Sequence, residues 1–105
     1  MKTTIQTLAA ATIVTLSTNA SAVSFGCDLF GQMAANIMEQ HQLSVPLSDV
    51  MRPLNQGALN ESDAEEVKAL ALEAYASPRH SDRAMRKRAI ADFRDAQTLK
   101  CHRAK

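Results

Sequence analysis

The chain has no tryptophan, one tyrosine and three phenylalanines. Without an aromatic platform for bases, and with a formal net charge of only +1, it lacks both the stacking surface and the electrostatic footprint of a nucleic-acid interface. Alternating runs of β-branched residues are nearly absent, which removes the pattern of a half-buried sheet. Cysteine is limited to Cys27 and Cys101, with no Cys-x-x-Cys pair and no His/Cys cluster, so no metal-ligand set is offered. The histidines His41, His80 and His102 have no partner histidine at ligand spacing, and no serine stands in a nucleophile-elbow context. The residues imply no cofactor and read as those of a protein that is not an enzyme. No internal repeat or low-complexity tract divides the chain.

The apolar stretch Leu8 to Leu16 is about half of the ~20 residues that span a bilayer. It follows Lys2 and leads through Ser17-Thr18-Asn19 to Ala20-Ser21-Ala22, a small-x-small cleavage pattern. Residues 1–22 therefore read as a signal peptide, and 23–105 as a single mature helical domain with no membrane span after cleavage. A lipoprotein reading of Ser24-Phe25-Gly26-Cys27 lacks the aliphatic residue three before the cysteine and would consume Cys27. Export points to a periplasmic or secreted protein, and in that oxidising setting two cysteines pair. Closing a loop of ~75 residues corresponds to about 4.5 kcal/mol in the chain-entropy model. That is a large contribution to a domain of this size.

Ala, Leu, Met, Glu, Gln and Arg dominate the remainder, which argues for an all-α domain. The first helix is expected from about Asp28 to Gln42, with Phe30, Met33, Ala34, Ile37, Met38 and His41 on one face and Asp28, Gln32, Glu39 and Gln42 opposite. A short second helix starts near Ser48 or Asp49 and should be cut off by Pro53, leaving Arg52 to Asn60 as a loop. Ser62-Asp63-Ala64-Glu65 reads as a capping box for the third helix, which ends near Ala76 before Pro78. Ser81 is the expected cap of the fourth, which runs to about Cys101 with Met85, Ala89, Phe93 and Ala96 as its apolar stripe. A Cys27–Cys101 bridge requires Cα atoms within ~7 Å. The expected architecture is thus a compact three-to-four-helix bundle whose first and last helices are antiparallel and joined by a disulfide.

Charge is segregated along this chain. Residues 28–73 carry eight carboxylates against two cations, whereas 79–105 carry nine cations against three carboxylates. On the last helix Arg83, Lys87 and Arg94 fall within ~40° of one another. Either this stripe lies against the third helix, whose Glu66 and Glu73 share a flank, and is neutralised there, or it contacts an anionic partner. Candidate partners are an envelope protein or an anionic envelope polymer such as lipopolysaccharide. The oligomeric state is open.

His41 reads as a structural residue at the end of the first helix, and the methionines as core fillers. Tyr75 is expected to bury its ring with the hydroxyl at the surface. Leu72, opposite the apolar face of its helix, marks a contact surface or a site for the second helix to pack.

The order Cys27, Ile37-Met38, Val50-Met51, Glu73-Ala74-Tyr75, Pro78-Arg79, Ala91-Asp92-Phe93 and Cys101 resembles that of small exported helical proteins of proteobacteria and their prophages, a group with no assigned activity. The pattern differs at Glu39-Gln40-His41-Gln42, where an arginine–glutamine pair is expected, and in the Pro53 loop. The resemblance implies export, helices and a terminal-to-terminal disulfide. Cys27-Asp28-Leu29-Phe30 also resembles the first-cysteine segment of periplasmic acid-stress chaperones, whose second cysteine lies well inside the chain instead of at its end. The expected function is a small exported protein that binds another macromolecule. The alternative is an acid-stress-type periplasmic chaperone, loosened when its carboxylates are neutralised.

Overall fold

The computed structural model describes residues 25–104; the signal-peptide reading of residues 1–22 lies outside them. Four helices form: α1 (Cys27–Gln42), α2 (Leu47–Asn55), α3 (Glu61–Tyr75) and α4 (Arg83–Ala104). Among the described residues there is no strand. The all-α bundle is the architecture that the composition and periodicity predict.

The central element is α1. It packs most extensively against α4 and next against α3, while α2 rests mainly on α3. Its buried residues Cys27, Phe30, Ala34, Ile37, Met38 and His41 recur at three- and four-residue steps, which puts them on one face. All but His41 meet Val67, Leu70, Ala71 and Ala74 of α3, Phe93 of α4 and Val50 of α2 in one core. Ala34, Ala71 and Ala74 have no exposed surface, so the helix backbones approach closely where they cross. Gly31 is closer still. A methyl group there would overlap Thr98 Oγ1 and lie 3.3 Å from Thr98 Cβ.

The Cys27–Cys101 disulfide forms, with the Cα atoms 5.5 Å apart. It joins the first residue of α1 to the last turn of α4 and makes the two helices antiparallel neighbours. A bridged Cys27 has no free thiol.

Local structure differs from expectation at several helix ends. Pro53 does not cut off α2 but sits inside it. The ring removes only the bond that residue 53 would give to the Asp49 carbonyl, and the helix closes two residues later, so one lost bond suffices. Closure occurs as Ala58 N bonds Pro53 O at 3.0 Å with Gly57 at φ 85°, the Schellman arrangement that glycine favours. Helix α3 starts at Glu61, so its cap lies two residues before Ser62. Asn60 is its cap, accepting from Asp63 N at 2.8 Å and donating to the Asp63 carboxylate at 3.0 Å. This reciprocal capping uses the same three-residue spacing two residues earlier. Asp82, not Ser81, caps α4, accepting from Met85 N at 2.9 Å.

The stripe expected on α4 is also displaced. Its buried residues are Phe93, Gln97 and Cys101, whereas Met85 and Ala96 are exposed, a rotation of roughly 80° at 100° per residue. Polar and covalent anchors set that rotation. The disulfide turns Cys101 inward, and Gln97 Nε2 reaches the Glu73 carboxylate of α3 at 2.9 Å.

Candidate functional site

The junction where α1 ends and α4 begins is built by side chains whose partners are mostly backbone groups. Helix α1 finishes in a Schellman turn: Val45 N bonds Gln40 O at 2.9 Å and Ser44 N bonds His41 O at 3.1 Å. Ser44 occupies the left-handed position at φ 68°, where glycine is the usual residue. Gln42, expected on the polar face, is buried. Its amide donates to Pro78 O at 2.9 Å and accepts from His80 N at 2.9 Å, so one side chain satisfies two groups of the α3–α4 connection. His41 Nε2 lies 2.6 Å from Ser77 O, and its ring packs on Tyr75 with centroids 4.5 Å apart. Arg86 donates to Ser81 O at 2.7 Å, and Arg79 to Ser44 Oγ at 2.8 Å. Sequence periodicity does not reveal this clasp, because the partners of Gln42 are carbonyl and amide groups 36 to 38 residues away.

His41 is therefore a structural residue of the clasp. Tyr75 differs from its expected role, since its hydroxyl donates to Val45 O at 2.6 Å. Burial of the phenol, with the Asp49 carboxylate as a second cause, raises its pKa above the usual 10.0.

The same junction carries the densest positive charge. Arg79, Arg83, Arg86, Lys87 and Arg88 fall within ten residues, and Asp82 is the sole carboxylate among them. Arg83, Lys87 and Arg88 are exposed. Among the described residues no carboxylate lies within ion-pair distance of Arg83 or Lys87. Arg94, the third residue of the predicted stripe, pairs with the adjacent Asp95 at 3.0 Å. Among the described residues the ion pair between α3 and α4 is at the other end of α4, where Lys100 meets Glu73 at 3.1 Å. Arg83 and Arg86 stand in the first turn of α4, where the macrodipole disfavours cations by a few tenths of a kcal/mol each.

Two large apolar side chains are exposed at this end, Leu43 at 62% and Met85 at 45%. Leu72, which α2 leaves 55% exposed, is on α3, while Leu29 and Leu99 lie near the disulfide. Away from the junction, α1, α2 and α3 enclose an open cleft of about 220 Å³, with Met33, Ile37, Val50, Leu54 and Val67 among its lining. A cavity of ~150 Å³ holds a benzene ring, whereas sites for larger ligands start at about 300 Å³. This cleft thus suits one side chain and not a cofactor. Asp49, its only titratable group, is paired with Arg52 at 2.7 Å, so no acid–base pair is assembled there.

Among the described residues no group of His, Cys, Asp and Glu is placed to hold a metal ion, and no helix is long and apolar enough to cross a membrane. The disulfide is compatible with an exported protein. Comparison with known proteins adds no relative: no protein-family model matches the chain, and no curated protein or solved structure is significantly similar to it.

Proposed function

We propose that this is a non-enzymatic periplasmic protein that binds an anionic macromolecule of the cell envelope through the cations at the start of α4. One observation carries the reading. Arg83 and Lys87 are exposed without an ion-pair partner among the described residues, and Arg83 stands in the first turn of α4, where the dipole opposes positive charge. Arg86 is tied to Ser81 O, but Arg83 and Lys87 make no such bond, and residues that break a local rule without structural return mark sites selected for something else. Arg94 extends the same stripe, half-engaged with Asp95. The signal-peptide pattern and the disulfide support the periplasmic part of the reading.

The test is charge reversal of Arg83, Lys87 and Arg94 to Glu in the oxidised protein, followed by co-sedimentation with isolated envelopes. The variant should keep its helical circular dichroism and lose binding, and the wild type should release as salt rises past the point where the Debye length falls below ~8 Å. Undiminished binding by a folded variant removes the proposal.

A further inference from the structure

The basic junction also presents apolar side chains, and their placement narrows the partner. We infer that this end of the bundle docks end-on to an anionic phospholipid surface, with Leu43 and Met85 entering the headgroup layer and Arg79, Arg83, Lys87 and Arg88 meeting lipid phosphates. This rests on the reading of the α4 cations as a binding site and names what they bind.

Geometry places the six residues at one end of the bundle. Gln42 and Ser44, on either side of Leu43, are bonded to Pro78, His80 and Arg79, and α4 begins three residues beyond His80. Leu43 and Met85 therefore belong to one end of the molecule, opposite the disulfide. The only carboxylate in the segment, Asp82, is engaged with Met85 N at 2.9 Å. Farther along, Asp92 and Asp95 are exposed on α4, about 11–15 Å beyond Met85 at 1.5 Å per residue. They would oppose an anionic surface lying along the helix. The footprint is consequently confined to the first turns of α4 and the adjoining turn after α1.

A lipid surface fits this end better than an acidic protein does. A specific protein interface needs about 800 Å² per partner with a close-packed apolar centre. Leu43 and Met85 are single exposed side chains at the end that carries the cations, Met85 about 160° around α4 from Arg83 and Lys87, and the cleft lies elsewhere, between α1, α2 and α3. Interfacial binding asks for this combination of a few inserted apolar groups and surrounding positive charge, with no shape complementarity.

Because the chain has no tryptophan, Met85→Trp is a background-free reporter, with Leu99→Trp as a control near the disulfide. Vesicles of phosphatidylcholine with ~30% phosphatidylglycerol should blue-shift the emission of M85W but not of L99W, and pure phosphatidylcholine should shift neither. Adding R83E and K87E to M85W should weaken vesicle binding at least 25-fold, since each cation near such a surface is worth about fivefold. Leu43→Ser should weaken it at unchanged charge. If M85W emission stays water-like on anionic vesicles while wild-type protein still sediments with envelopes, the lipid inference falls and an anionic protein or polysaccharide takes its place. Failure of envelope binding to respond to charge reversal overturns the broader reading as well. Equal shifts for M85W and L99W would overturn the end-on orientation.

Discussion

Gln42 illustrates how a polar side chain on a buried face can be worth more than an apolar one. It satisfies Pro78 O and His80 N together, and truncation would leave both groups of a part-buried turn short of partners. Gln42→Leu is expected to cost about 2 kcal/mol, seen as a lower urea midpoint with an unchanged m-value. A shift under ~0.5 kcal/mol would mean that water replaces the amide. Tyr75 gives a pH signature. The folded chain holds the phenolic proton more tightly than the unfolded chain, whose tyrosine ionises near the usual 10.0. The associated stability is fully present below that pH and is lost as pH rises from there through the raised folded value. Between about pH 8 and pH 11 the wild type should lose more stability than Tyr75→Phe, with the melting temperature as the readout. Parallel profiles would show that the hydroxyl–Val45 bond is not linked to unfolding.

At the scale of elements, the α1–α4 contact depends on an absent side chain. Gly31→Ala gains up to ~1 kcal/mol of helix propensity but forces an overlap with Thr98 Oγ1, and overpacking typically costs about 1–3 kcal/mol. The single variant should be destabilised, and Gly31→Ala with Thr98→Ala should recover most of the loss in a double-mutant cycle. Additive effects would place the clash elsewhere. Pro53 is a second case. Replacing it by Ala restores the bond to the Asp49 carbonyl in α2, and thermal melts should show a gain of about 1 kcal/mol, offset in part by a freer unfolded chain.

These elements also show what was legible in advance. Helices α1 and α3 were readable to within one or two residues, because their apolar positions recur cleanly and cap-forming side chains precede α3. The rotation of α4 was not. Its inward face includes Gln97 and Cys101, held by Glu73 and Cys27, and hydrophobic periodicity carries no record of partners that distant. For the candidate site, the cations Arg83 and Lys87 were visible as a stripe. The apolar side chains at the same end were not, since periodicity puts Met85 in the core and gives Leu43 no role. The exposure of Met85 follows from how α4 is turned, and Leu43 is the C-cap residue of α1.

For the whole molecule, the bridge should dominate stability. Reduction, or Cys27→Ser, is expected to lower the unfolding free energy by about 2–4 kcal/mol, measured by denaturation with and without reductant. The first contacts to loosen on reduction should be those near Gly31 and Thr98, with slowest hydrogen exchange persisting nearer the Gln42 clasp. An equally stable reduced protein would shift the burden to the core of α1 and α3.

The bridge has a further consequence for the chain's topology. With 74 residues of separation between its cysteines, the covalent path of the described protein is a ring with two short tails. A protease that cuts once after Arg79 or Arg83 yields two segments still tied together, and the nicked molecule migrates on a non-reducing gel with the intact mass. One cut opens the ring and a second releases a piece, so damage becomes loss only when a second cut or a reductant follows.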